Sequence, residues 1–213
     1  MKANINYNRR MEDTLKTLAG SRPKLLLHVC CAPCSTSVIK RLDTHFRLVI
    51  FFDNPNMDSN EEFVRRAKEL EYFLSRLDLK EAPELVIEPY TPDVFTEAIK
   101  GYESEKEGGK RCSICYALRL RRAALYAAQE GIQWVTTTLS VSPHKDAGRL
   151  NRIGTYWAKR YGLFYLESDF KKKGGFQESC NLSDTFSLYR QDYCGCFYSK
   201  KEAEARRQLK ETL

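Results

Sequence analysis

Residues 24–35, KLLLHVCCAPCS, run a short apolar stretch directly into three cysteines, and each half of that stretch carries information. The apolar half reads as a β-strand. Its hydrophobicity is continuous rather than alternating, the mark of a strand buried on both faces in a parallel sheet covered by helices. Four further runs rich in β-branched and aromatic residues read the same way: 47–53 (RLVIFFD), 84–89 (ELVIEP), 133–139 (QWVTTTL) and 163–167 (LFYLE).

Helical patterns separate these runs. Ser59-x-x-Glu62 is a capping box, followed by Phe63, Ala67, Leu70, Leu74 and Leu77 at helical spacing. Thr91-Pro92 opens a shorter helix with proline in its first turn. Ile114, Leu118, Leu125 and Ala128 form the apolar stripe of a third, which Gly131 ends. Ser142-Pro143 starts a fourth, carrying Leu150, Ile153 and Trp157 and stopping at Gly162. Strand–helix alternation with right-handed crossovers predicts an α/β fold: an open, mostly parallel five-stranded sheet flanked by helices. Residues 1–213 are expected to form a single α/β domain. Its tail is an irregular, basic, cysteine-containing segment at 168–199, then a charged helix at 200–213.

The 35 Lys and Arg residues exceed the 28 Asp and Glu, giving a net charge of +7, a modest sign of a polyanionic partner such as nucleic acid. No apolar run approaches a membrane span, and the polar opening MKANINYNRRMEDTLKTL has no apolar segment of the secretory kind. A cytoplasmic protein with reduced thiols is therefore expected.

Under those conditions the 8 cysteines point to metal or redox chemistry. Cys30-Cys31-x-x-Cys34, Cys112-x-x-Cys115 and Cys194-Gly195-Cys196 are tight clusters, and Cys180 stands alone as a small hydrophobe. In open α/β sheets ligands bind beyond the carboxyl ends of the strands. Cys30, Cys31 and Cys34 follow the first strand, Asp53, Asn54 and Asn56 the second, and Tyr90 the third. Cys112 and Cys115 open a helix, whose N-terminal field, with Lys110 and Arg111, favours thiolates. Four thiolates from the first two clusters suit zinc or an iron–sulfur cluster, with Cys34 competing for a place. The adjacent pair Cys30-Cys31 argues against zinc, and both can bind only if their side chains turn the same way.

Cys194 and Cys196 read as a two-electron dithiol/disulfide switch, with metal ligation as the alternative. His28 is expected to be a satisfied core histidine and His45 a surface residue. His144 either donates a proton or caps a turn. Asp53 ends an apolar strand at the site rim, where a functional role is expected. Lys171, Lys172 and Lys173 form a basic loop suited to phosphates, joined by Arg119, Arg121 and Arg122, read as exposed.

HVCCAPCS at 28–35, RCSICY at 111–116 and YRQDYCGC at 189–196 together resemble the cobalamin-independent epoxyqueuosine reductases. The resemblance runs from about residue 24 to 199. It implies a fold similar to the PP-loop ATPases and their HUP-like relatives, and reduction of the epoxide of a tRNA wobble base to an alkene. It also implies a [4Fe-4S] cluster on Cys30, Cys31, Cys112 and Cys115, a redox-active Cys194–Cys196 disulfide and an unidentified electron donor. ATP-using relatives of that fold carry a Gly/Ser phosphate loop after the first strand. Cys30–Ser35 stands there instead, so neither ATP nor cobalamin is expected. Cys34 is a candidate ligand of a second, mononuclear iron, with Cys194 and Cys196 as the alternative.

The reaction consumes two electrons and two protons, which suits a one-electron cluster paired with a two-electron dithiol. A metal beside the substrate would also polarise the epoxide oxygen. Tyr90, Tyr116 and Tyr193 are candidates to stack on an unstacked base. Two other readings remain: an iron–sulfur tRNA sulfurtransferase-like enzyme, whose chemistry needs the ATP loop missing here, and a non-catalytic, zinc-stabilised nucleic-acid-binding module.

Overall fold

The computed structural model describes residues 5–18 and 20–211. Its centre is a five-stranded, all-parallel sheet: β1 (Lys24–His28), β2 (Arg47–Phe52), β3 (Glu84–Ile87), β4 (Trp134–Thr137) and β5 (Phe164–Tyr165). The strand order is β3-β2-β1-β4-β5, so the chain reverses direction across the sheet between β1 and β4. All five expected strands form.

The continuous apolar runs are explained by their two covered faces. Leu25, Leu27, Val29, Ile50 and Phe52 face one core with helices α1 (Tyr7–Thr17), α2 (Ala32–Asp43) and α3 (Asn60–Ser75). Leu26, Val49 and Phe51 face the other, against Ala123 and Ala127 of α5 (Lys110–Gln129) and Ala158 of α6 (Ala147–Arg160). Gly154 lets α6 lie directly on β5, since a Cβ there would sit 2.1 Å from the Tyr165 ring. Leu26→Ala removes a fully buried side chain from the middle strand and is expected to cost about 2–5 kcal/mol in denaturant unfolding.

Two expected helices appear where the sequence puts them. Ser59 caps α3, its side chain accepting the Glu62 N–H at 3.2 Å, and α4 (Pro92–Ala98) follows Thr91. Three readings need correction. The helix expected from Ser142-Pro143 begins at Ala147 instead, capped by Asp146, which accepts the Arg149 N–H at 3.0 Å. Ser142 and Pro143 belong to the turn after a short 3-10 helix, Thr138–Val141. In α5 the stripe faces another way. Arg111, Cys115, Arg119, Ala123 and Ala127 are buried, while Leu125 is exposed, because buried arginines hide the inner face from a hydrophobicity count.

The segment 168–199 is not irregular throughout, since it contains α7 (Gly175–Thr185). Helices α1, α2 and α7 lie outside the sequence-based elements. α2 and α7 pack through hydroxyls rather than an apolar stripe: Ser37 Oγ donates to Gly175 O at 3.0 Å, and Ser179 Oγ to Pro33 O at 2.6 Å. The expected C-terminal helix is α8 (Phe197–Glu211); residues 212–213 of that expectation lie outside the described residues.

Candidate metal and redox centre

The reversal of strand order leaves a crevice beyond the ends of β1 and β4. β1 delivers Cys30 and Cys31 into it, and α2 begins at the next residue with Cys31 as an extended N-cap. Pro33 fits the first turn, whose N–H would be unpaired in any case. The neighbours do turn the same way: Cys30 Sγ lies 3.7 Å from Cys31 Sγ. With Cys34, one turn into α2, the three sulfurs lie within 4.8 Å of one another. Among the described residues, the cysteines close enough to share one ion are therefore these, not those of the C-terminal segment. Hydrogen bonds from the Cys31 and Cys34 thiols hold Cys30 well below the usual thiol range. The same sharing pushes Cys31 up to about 12 and raises Cys34.

Cys112 sits in the first turn of α5 and accepts the Gly108 N–H at 3.2 Å, with Cys115 one turn on. Burial raises both thiols, Cys115 to about 12, and the nearby Cys194 and Cys196 raise them further. Cys112 packs against the group containing Cys30 and Cys31, and Cys115 packs with Cys196 against Phe95 and Ile99. The fold thus gathers seven of the cysteines, and Cys180 stands apart on α7.

The Cys194-Gly195-Cys196 loop is fixed from several sides. Gly195 O accepts the Asp58 N–H at 2.8 Å, and Cys194 O accepts from the Arg66 guanidinium at 3.3 Å. Tyr193 and Lys200 both donate to the Asp58 carboxylate, at 3.0 and 2.6 Å. Gly195 has φ of 124°, and a Cβ there would meet Met57 Sδ at 2.9 Å, so glycine is required on both counts. Both thiols are free; Cys196 is buried at the start of α8 and accepts the Ser199 N–H at 3.4 Å.

Three buried or half-buried cations surround the sulfurs. Arg66 is paired with Glu62 at 2.6 Å. Arg119, fully buried, donates to Asn54 Oδ1, and its Nε has no partner. Neither Arg119 nor Lys145 forms an ion pair with a carboxylate among the described residues. Burial works against the charge on both, but Cys115 and Cys30 beside Arg119, and Cys194 and Cys30 beside Lys145, hold them protonated. An uncompensated buried cation costs several kcal/mol. The missing countercharge is supplied if the cysteines are thiolates, so the donor set fits an anionic, thiolate-bound metal centre. Arg66 and Lys145 escaped sequence reasoning, and Arg119 reads as exposed in sequence. The signal was Arg119, one helical turn from Cys115 on the same face.

A cavity of about 770 Å³ opens onto the sulfurs, lined by Cys30, Cys31, Cys34 and Cys194, with Tyr193, His144 and Lys145. Its rim includes Arg190, Arg206 and Arg207. That volume suits a nucleoside-sized ligand.

Several expected site residues lie elsewhere. Asp53 is buried in an ion pair with Arg122, and burial raises its carboxyl above the usual range. Its carbonyl lies 3.3 Å from His28 Nε2, and His28 is a core residue, neutralised by burial to a pKa of about 3. Tyr116 is buried in the apolar group behind Cys30, and Tyr90 donates its hydroxyl to Met57 O at 2.6 Å. Of the three expected stacking residues, Tyr193 lines the cavity. Lys171 is tied to Asp169 at 2.6 Å and Lys173 to Glu12 at 2.7 Å, leaving Lys172 exposed. Arg119 and Arg122, read as exposed, are buried and half-buried. Arg111 holds Glu202 of α8 at 3.1 Å.

The model of the family described as epoxyqueuosine reductase QueH matches residues 25–202. The epoxyqueuosine reductase QueH of Streptococcus pyogenes serotype M1 is 36% identical over 201 residues, covering 92% of this chain and 79% of that protein. The Staphylococcus aureus enzyme of the same name is 37% identical over 205 residues, 92% of this chain and 84% of its own length. That of Thermotoga maritima is 33% identical over 184 residues, 84% of this chain and 91% of its own length. With that much of its length matched, and with its cysteines gathered at the sheet's crevice, the chain belongs to the epoxyqueuosine reductase QueH family.

Proposed function

We propose that this protein is a cytoplasmic iron–sulfur oxidoreductase that reduces epoxyqueuosine at the wobble position of tRNA to queuosine. The observation that carries this reading, beside family membership, is the cavity that opens onto clustered cysteines beside Arg119, buried, and Lys145, half-buried, neither with a carboxylate partner among the described residues.

Cys30, Cys31, Cys112 and Cys115 would hold a [4Fe-4S] cluster, leaving Cys34 as a ligand of a second, mononuclear iron. Such a cluster supplies single electrons at a potential tuned by its surroundings. Cys194, on the cavity wall, and Cys196 store an electron pair as dithiol and release it as disulfide. The balance is simple: the epoxide, two electrons and two protons give the alkene and water. An extruded base would stack on Tyr193, whose ring is oriented by its bond to Asp58. Lys145 and His144 face the same space, where an ammonium or imidazole can hydrogen-bond the epoxide oxygen and hand it a proton. In this reading residues 1–213 work as one domain, with the 168–199 segment and α8 completing the cavity wall.

The test is anaerobic purification with iron, sulfide and zinc analysis, followed by incubation with epoxyqueuosine-containing tRNA and a chemical reductant. Iron and sulfide near four each for the cluster, any further iron beyond that, and queuosine among the nucleosides are the expected results. A colourless protein with stoichiometric zinc and no product would instead identify a binding module.

A further inference from the structure

Helices α5 and α6 cover the same face of the sheet, and neither contains an acidic residue. Their charged side chains are Lys110, Arg111, Arg119, Arg121 and Arg122 on α5, and Arg149, Arg152, Lys159 and Arg160 on α6. The acids that meet these helices are Asp146, which caps the start of α6, Glu130 at the end of α5, and Glu88 of the neighbouring strand end, which pairs with Arg122. Some of these cations have structural duties. Arg122 pairs with Asp53 and Glu88, and Arg149 donates to Ser113 Oγ at 3.1 Å. Arg121, Arg152, Lys159 and Arg160 are exposed and, among the described residues, form no ion pair.

Aromatic rings interrupt this basic surface. Tyr156 is 58% exposed and meets Trp157 edge-on at 5.0 Å, while the Arg121 guanidinium lies 5.5 Å from the Trp157 ring. Trp157 is half-buried and packs, with Ile153, against the group formed by Cys30, Cys31, Tyr116, Leu120 and Leu150. The rings therefore stand between the outer surface and the sulfur centre. None of the α6 residues lines the cavity.

We propose that the outer face of α5 and α6 is the docking site of a small acidic one-electron carrier protein, of ferredoxin or flavodoxin type. This rests on the iron–sulfur reading above. Each turnover consumes two electrons, so the protein must be re-reduced by a donor that comes close to the sulfur centre, and on this face Trp157 packs against the group that contains Cys30 and Cys31. Two reduced carriers, each losing one electron, supply the pair that, with two protons, converts the epoxide to alkene and water. A carrier rich in Asp and Glu complements the exposed Arg121, Arg152, Lys159 and Arg160 and is steered to them at low salt. Small, transient contacts are usual for such encounters, and the Tyr156–Trp157 edge gives this one an apolar centre. RNA is the weaker fit. The cavity rim has its own cations for substrate phosphates, Arg190, Arg206 and Lys210 among them.

The test compares wild-type holoenzyme with an Arg152→Glu/Lys159→Gln/Arg160→Gln variant, using an acidic [2Fe-2S] ferredoxin as the probe. Binding of the oxidised ferredoxin is measured by calorimetry at low salt, and tRNA binding is measured separately. Rates are taken with dithionite and with ferredoxin kept reduced by NADPH and a ferredoxin–NADP reductase. Ferredoxin affinity and the ferredoxin-driven rate should each fall by roughly tenfold or more, with tRNA affinity and the dithionite-driven rate unchanged. Weakened tRNA binding with a parallel loss of the dithionite-driven rate would overturn the proposal and make this an RNA surface. No change in any readout, or no ferredoxin binding by the wild type, would overturn it as well. Wild type that binds ferredoxin but forms no queuosine even with dithionite would instead remove the reaction on which the proposal rests.

Discussion

Cys31→Ser protein, purified anaerobically, is expected to lose most of its iron and sulfide and more than about 100-fold of its reductase activity, since removing even a partner outside the ligand shell can cost that much. The same result is expected for Cys30, Cys112 and Cys115. Cys34 is the informative control because its sulfur lies within 4.8 Å of both Cys30 and Cys31. Cys34→Ser should keep the four-iron cluster and lose the additional iron. A full cluster in Cys31→Ser, together with its loss in Cys34→Ser, would exchange the two cysteines in the ligand set. Folding should survive in either case, because α2 is fixed by Ser35, Ser37 and Ser179 hydrogen bonds that do not involve the thiols.

The Cys194→Ser/Cys196→Ser variant should behave in the opposite manner, brown and folded but unable to turn over. The loop is held by Asp58, Arg66 and Lys200 through backbone and side-chain contacts that spare both sulfurs, so serine leaves its path unchanged. What disappears is the electron pair on the cavity wall. Mass mapping of oxidised wild-type protein should find a Cys194–Cys196 disulfide that opens more readily than an ordinary structural one. Full activity in the double variant would leave metal alone to deliver both electrons. Loss of the cluster would move these cysteines into its ligand set.

The sheet was legible because its strands are buried on both faces, and a continuous run such as RLVIFF has few alternative readings. The crevice followed from the rule for open sheets, and Cys30 and Cys31 lie in it. Less legible were elements whose packing is polar. α2 and α7 meet through Ser37, Thr36 and Ser179, so their contact leaves no apolar pattern to read. α5 misled for a related reason, since Arg111 and Arg119 occupy inward positions that hydrophobic periodicity assigns to the surface. The same substitution of charge for apolar bulk explains the missing half of the site. Arg119 reads as exposed in sequence, Arg66 and Lys145 carry no motif that marks them, and only the fold brings the three against the thiols. Asp53 stands at the strand end where the sequence puts it, with one carboxylate oxygen paired to Arg122 and the other buried without a hydrogen-bond partner.

The most direct measurement of the central claim is a single turnover without external reductant. Holoenzyme is reduced anaerobically, freed of the reductant and mixed with epoxyqueuosine-containing tRNA. Nucleosides, visible absorbance and free thiols are then followed in one sample. Queuosine should appear as the centre reoxidises and as the Cys194 and Cys196 thiols are lost, with two electrons leaving the protein for each alkene formed. Product formed with the metal absorbance and thiol count unchanged, or formed equally by metal-free protein, would contradict the account.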